Sequence, residues 1–191
     1  MKFCIGIDEA GRGPLAGPVT AAAVVLPGNF PRDLLKDSKQ LSPKRRNILE
    51  ALIKEQASCW AVGWANHRSI DQLNIHYATL LAMERAFFSL PWSAKWDTPV
   101  IIDGSHTLSL LHTSMTAQVG GDRLVCEVMA ASILAKEARD RWMIHASGRY
   151  PHWGFERHKG YPTQVHRQRV GEFGLSPIHR RSFHVSPCAS S

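Results

Sequence analysis

Short apolar runs, two of them ending directly on carboxylates, constrain this chain more than any other feature of its sequence. Runs at 3–7, 19–26, 59–65, 100–102 and 116–119 fall far short of the roughly 18 apolar residues that span a bilayer. They have the length and the Val, Ala and Trp content of strands. Helical patterns lie between and after them. Ser42-Pro43 opens one as N-cap and first helical residue, with an apolar stripe at Ile48, Leu49, Leu52 and Ile53. Others are predicted over 70–90, over 127–147 with Gly148 as the stop, and from Thr163 to near Gly174. Three early strands, then strands alternating with helices, define an α/β chain with a mixed sheet. Residues 1–147 read as the core. Residues 148–191 read as a basic, loop-rich C-terminal part of the same compact unit, frayed from 186 onward.

The acids are placed where they serve no core. Asp8 and Glu9 follow the first run, Asp103 follows the run at 100–102, and Asp122 follows Gly120-Gly121 before a long helix. In an open α/β sheet the carboxyl ends of the strands form the ligand crevice. A lone acid there is ordinarily a turn residue or an N-cap, but four acids at three separated places point to a shared site. Converging carboxylates repel unless a cation intervenes, and hard oxygen ligands select Mg²⁺ or Mn²⁺. Such a site suits phosphoryl chemistry with two cations. Successive strand residues face opposite ways, so Asp8 is the stronger ligand candidate unless the strand ends before Glu9, which Gly11 and Gly13 would permit.

Charge agrees with a polyanionic substrate. The net charge is +7 on 191 residues. Between 149 and 184 stand Arg149, Arg157, Lys159, Arg167, Arg169, Arg180 and Arg181 against only Glu156 and Glu172, with Tyr150, Trp153, Phe155 and Tyr161 interleaved. Rings of this kind stack on bases and sugars. A second basic run holds Lys36, Lys39, Lys44, Arg45 and Arg46. Cys4, Cys59, Cys126 and Cys188 are scattered and read as free thiols. With no signal-like segment at the start, a cytoplasmic location is expected. Gly11-x-Gly13 with Gly17 loosely matches a dinucleotide fingerprint. However, Pro14 and Pro18 interrupt the helix such a motif needs, and Asp8 and Glu9 would repel a pyrophosphate.

The motifs together resemble the ribonuclease HII family. Ile7-Asp8-Glu9-Ala10-Gly11-Arg12-Gly13-Pro14-Leu15-Ala16-Gly17-Pro18-Val19 resembles its opening motif, and Asp37-Ser38-Lys39-Gln40-Leu41 its second. Asp103-Gly104, Gly121-Asp122, Ala130-Ala131-Ser132-Ile133-Leu134-Ala135-Lys136, Arg139-Asp140, His158-Lys159-Gly160-Tyr161-Pro162-Thr163 and His179-Arg180-Arg181-Ser182-Phe183 follow in the family's order. The resemblance implies a ribonuclease H-like fold, with a five-stranded mixed sheet, flanking helices and a small helical C-terminal part. It implies cleavage of RNA in RNA/DNA hybrids, and incision 5′ of single ribonucleotides in duplex DNA, leaving 5′-phosphate and 3′-hydroxyl ends. Asp8, Glu9, Asp103 and Asp122 match the metal-site acids for two Mn²⁺ or Mg²⁺ ions. Gly11, Arg12 and Gly13 match the loop that senses the 2′-hydroxyl, and Tyr161 matches the tyrosine that stacks on the neighbouring sugar. Ser38, Lys39, Lys159, Arg180 and Arg181 are candidate substrate contacts, and a monomer is expected.

Gln40, Gly120 and Glu137 depart from the family pattern and bear on affinity more than on chemistry. Ser132 and Lys136 are equally open to a helix-surface role and to a role beside the acids or a phosphate. His158 and His179 read as loop histidines, and Trp60 and Trp64 as core. Two rival functions are a structure-specific DNA nuclease, which would cut all-DNA duplexes, and a non-catalytic hybrid-binding protein, which would bind with strong salt dependence and no turnover.

Overall fold

The computed structural model describes residues 3–35, 42–91, 98–108 and 114–184. Five strands, β1 (Ile5–Ala10), β2 (Val19–Val25), β3 (Cys59–Ala65), β4 (Val100–Asp103) and β5 (Met115–Gln118), form one sheet in the order β3-β2-β1-β4-β5. β1 pairs antiparallel with β2, as β2 does with β3, whereas β1-β4 and β4-β5 are parallel. The carboxyl ends of β1, β4 and β5 therefore lie side by side at one edge of the sheet. Those are the ends where the acids stand.

Strand β1 continues through both Asp8 and Glu9, with Asp8 opposite Ala22 and Glu9 opposite Ala21. The break comes after Ala10, where Gly11 takes φ +95°. The two acids thus face opposite sides of the sheet.

Six α-helices, α1 (Pro43–Gln56), α2 (His67–Phe88), α3 (Gly121–Leu124), α4 (Cys126–Arg149), α5 (Phe155–His158) and α6 (Gln164–Phe173), and two short 3-10 helices at Arg32–Leu35 and Pro151–Trp153 complete the described fold. Ser42, Asn66 and Thr163 cap α1, α2 and α6 by accepting the amides of Arg45, Ser69 and His166. The sheet separates two cores. Ile5, Ile7, Ala21, Ala23 and Ile102 pack with Ala78, Ala82, Met83 and Phe87 of α2 on one face. Ala22 and Val24 pack with Leu49 and Ile53 of α1 and with Met129, Ile133 and Leu134 of α4 on the other.

Some expectations are corrected. Helix α4 runs through Gly148 to Arg149, so that glycine is not a stop. Ile48 is 63% exposed, which narrows the apolar stripe of α1 to its Leu49 and Ile53 side. Trp60 is 37% exposed rather than core; its ring lies beside the Lys54 ammonium and its indole N–H donates to the Lys54 carbonyl. Trp64 is half-buried. Glu137 is buried and ion-paired with Arg46 of α1, so the residue that departs from an apolar pattern fastens one helix to another. Among the described residues no helix is long and apolar enough to cross a membrane.

Beyond α4 the chain folds back on residues 15–17. Leu15 N donates to Gly160 O, Gly17 N to Ile178 O and Arg180 N to Leu15 O. Ala16, Met143, Phe155 and Ile178 close a third, smaller core beneath them. The start of α4 sits so close to β1 that a Cβ built on Gly6 would lie 2.2 Å from the Glu127 carbonyl carbon. Gly6→Ala is therefore expected to push α4 off the sheet and cost about 1–3 kcal/mol in urea denaturation. An unchanged midpoint would show that this contact does not set the spacing.

Candidate active site

The edge formed by β1, β4 and β5 gathers Asp8, Asp103 and Asp122, each offering an oxygen within 4.8 Å of the others. Asp8 lies near the carboxyl end of β1 and Asp103 ends its parallel neighbour β4, while Asp122 lies in α3, just after the Gly120 turn at φ +72°. Asp8 is 4% exposed. Its carboxyl is held well above the ordinary carboxylate range by burial first, then by repulsion from Glu9 and Asp103, against hydrogen bonds from the Ser132 hydroxyl and the Glu9 amide. That amide donates to Asp8 Oδ1 at 2.7 Å. Glu9 lies outside the tight triad, facing the α2 side, with its carboxyl 3.4 Å from Arg12. Burial and the nearby Asp103 also raise the Glu9 carboxyl, against the pull of Arg12.

Asp103 Oδ1 is buried with no hydrogen-bond donor among the described residues. A buried, unpartnered carboxylate oxygen is costly, and three all-oxygen ligands converging on it match the donor set of a hard divalent cation. The residues present therefore fit a metal centre. Ser132, open to two readings in the sequence, is the hydroxyl that steadies Asp8.

Beside the acids a pocket of about 370 Å³ is lined by Glu9, Gly11, Arg12, Gly13, Ser132 and Tyr161, with Lys136, Arg139 and Asp140 below. Its wall is held from behind by two buried arginines. Arg139 donates to the carbonyls of Pro18, Lys159 and Ala16 at 2.9–3.0 Å. Arg180 donates to those of Gly17, Arg12, Gly11 and Pro18 at 2.6–3.1 Å. Burial pulls both guanidiniums down, to about 10 and about 9, and both stay charged at neutral pH. In a trans peptide the N–H points opposite to the C=O. With the carbonyls of Gly11 and Arg12 turned toward Arg180, the amides of Arg12 and Gly13 point the other way. A Cβ on Gly11 would lie 2.1 Å from Arg139 Nε, so the loop can be seated this closely only on glycine.

Of the basic candidates, Arg180 is 0% exposed and spends its donors on loop carbonyls. It is a positioning residue for Gly11–Gly13 rather than a surface for phosphate. Arg181 is exposed, its backbone amide held by Asp71. The Lys159 ammonium donates to the Glu156 carbonyl. Ser38 and Lys39 lie outside the described residues. Tyr161 is 43% exposed at the pocket mouth, with Arg139 5.8 Å from its ring.

Sequence reasoning missed a buried histidine relay under Tyr161. Ser176 N–H donates to His179 Nδ1 at 2.8 Å, which leaves the proton on Nε2. His179 Nε2 lies 3.0 Å from His166 Nε2, and His166 Nδ1 donates to the Tyr161 carbonyl at 2.9 Å. His158 stacks on His166 at 4.2 Å and donates through Nε2 to the Trp153 carbonyl. The bonds in which His179 Nδ1 and His166 Nε2 accept require both rings to be neutral, and burial pushes both His166 and His179 down to about 4. The only signal in the sequence was the density of histidines.

A family model described as Ribonuclease HII matches residues 5–186. Ribonuclease HII of Treponema denticola is 49% identical over 192 residues, covering 94% of this chain and 97% of its own length. Ribonuclease H2 of Pyrococcus horikoshii superposes with a TM-score of 0.77 at 25% identity, over 96% of this chain and 94% of that one. Bst-RNase HIII, solved in complex with Mn²⁺, shares the fold with a TM-score of 0.72 at 19% identity, over 95% of this chain and 67% of its own. Sheet order, acid cluster and relatives together define a metal-dependent nuclease of the ribonuclease H-like class. Within it the chain belongs to the ribonuclease HII family, endoribonucleases acting on the RNA of RNA/DNA hybrids.

Arg180→Met leaves buried carbonyls without donors and should cost at least about 3 kcal/mol, whereas Arg181→Ala should change stability by less than about 0.5 kcal/mol; equal losses in urea denaturation would refute the clamp. His166 and His179 ordinarily titrate near 6.5 and here at about 4. The unfolded chain thus holds more protons between those values, and stability rises with pH across the window. Stability should fall as pH drops from 6.5 toward 4, with unfolding taking up protons on both rings. A flat profile would show that the relay is not held neutral.

Proposed function

We propose that this protein incises duplex DNA 5′ of a single embedded ribonucleotide, as well as cutting longer RNA/DNA hybrids, with two divalent cations held by its acids. The carrying observation is the juxtaposition of the Asp8-Asp103-Asp122 triad with the Gly11–Gly13 pocket. Two Mg²⁺ or Mn²⁺ ions bound there would supply an activated water and charge stabilisation for the leaving oxygen. Asp8 would serve both ions, Asp103 and Asp122 one each, and Glu9 would assist from its own side of the sheet. Ser132 holds the Asp8 carboxylate in place while the ribonucleotide enters.

Discrimination rests on the neighbouring loop. The 2′-hydroxyl is the group that separates RNA from DNA. The amides of Arg12 and Gly13, turned into the pocket by the Arg180 clamp, are placed to meet it. Tyr161 closes the mouth and lies against the adjacent sugar. Lys159 and Arg181 are left as backbone contacts, which position a duplex without reading its sequence, and the basic segment from 148 onward is the part that presents them. The protein acts as a monomer.

The test is a labelled DNA duplex with one ribonucleotide, incubated with Mg²⁺ or Mn²⁺ beside an all-DNA control. A cut 5′ of the ribonucleotide with the control intact is expected; cleavage of the control would favour a DNA nuclease instead. Asp103→Asn should abolish cutting while duplex binding persists. Asp8→Asn should also be inactive, yet raise metal-free stability by about 0.5–2 kcal/mol, because it removes a buried charge that its neighbours repel. A destabilised Asp8→Asn protein would overturn the account of that carboxylate.

A further inference from the structure

On the other side of Glu9 and Arg12 from the Gly11–Gly13 pocket lies a second cavity of about 130 Å³, which also opens on Asp103. It is walled by two histidines far apart in sequence, His76 of α2 and His106 of the loop after β4. Their rings meet edge to face with centroids 4.6 Å apart. The Ser105 hydroxyl lies 2.9 Å from His106 Nδ1. A hydroxyl donating there leaves the ring proton on Nε2.

The backbone is bent to bring His76 to this wall. Helix α2 is broken at Asn74, a residue with φ +65° and ψ 169°. Its side chain then accepts the amides of His76 and Tyr77 and restarts the helix. A positive φ at a residue other than glycine is held only where surrounding structure demands it, and such sites cluster at functional positions. Here the restart turns the first residues of the second helical segment toward the acids.

We propose that this cavity is a phosphate subsite for the nucleic-acid strand on the leaving side of the cut. The inference rests on the reading that the ribonucleotide enters the Gly11–Gly13 pocket with its 5′ linkage at the acid triad. The strand then continues past Glu9 and Arg12, residues common to both cavities. The phosphodiester one linkage 5′ of the scissile bond is the next anionic group. It meets N–H donors of His76 and His106 and the guanidinium of Arg12, set against the Glu9 and Asp103 carboxylates that also line the cavity. The ligand chemistry is a dialkyl phosphate within a deoxyribonucleotide strand.

The test pairs protein and substrate changes. Duplexes with one ribonucleotide are made with a normal linkage, or with a neutral methylphosphonate, at the position one linkage 5′ of the cut. The wild type should lose about tenfold in kcat/KM on the neutral substrate, carried by KM, as expected for loss of hydrogen bonds to a charged group. The H76A/H106A double variant should already show that loss on the normal substrate and lose less than about twofold more on the neutral one. H106Q, which keeps an N–H donor, should recover part of the affinity for the normal linkage. Equal sensitivity of wild type and double variant to the methylphosphonate would overturn the subsite, as would a double variant that cuts the normal substrate like the wild type. A wild type that leaves the ribonucleotide duplex uncut would instead overturn the functional reading on which the subsite stands.

Discussion

Two buried guanidinium groups whose donors go to backbone carbonyls hold this molecule's working parts together. Arg139 reaches from α4 and Arg180 from the C-terminal segment, and between them they bind the carbonyls of residues 11, 12, 16, 17, 18 and 159. Burying a cation is expensive unless every donor is met. Here the compensation comes from backbone oxygens of residues 11–18 and of Lys159, so the loop cannot leave its position without exposing two unsatisfied charges. The Gly11–Gly13 pocket, the mouth at Tyr161 and the docking of the C-terminal segment follow from that arrangement.

The acid triad depends on a different economy. Parallel pairing of β1 with β4 and of β4 with β5 brings three strand ends to one edge. The triad there stores repulsion, visible in the raised Asp8 carboxyl and the unpartnered Asp103 oxygen. The rest of the fold bears the strain through two apolar cores, one on each face of the sheet. Rigid carboxylates in a site short of positive charge are prepared for cations before any arrive. The histidine relay extends the same rigidity to the Tyr161 backbone, using neutral rings where further charge would be unaffordable.

Much of this was legible in the sequence. The strand runs, the cap at Ser42, the helix start at Thr163, and the four acids at or after the carboxyl ends of strands follow from local chemistry and spacing, and the long motif at 7–19 marked the family. Helix limits were less legible: α4 runs one residue past Gly148, its last turns anchored by Met143 and Ala146 in the third core with Phe155 and Ile178. Arg180 read as a candidate phosphate contact because no local signal separates an arginine that binds phosphate from one that binds carbonyls 162–169 residues away in the chain. The same holds for Glu137, whose partner Arg46 lies 91 residues off, and for the His76–His106 pair.

Sequence by itself determined the elements, the chemistry of the ligands and the class of reaction, because strand and helix periodicity and carboxylate chemistry are local properties. Which acids share a site, which arginines are buried, and which histidines meet was decided only by the tertiary structure. Those facts depend on strand order and on the folding back of the C-terminal segment, and both are set by long-range packing that no window of neighbouring residues contains.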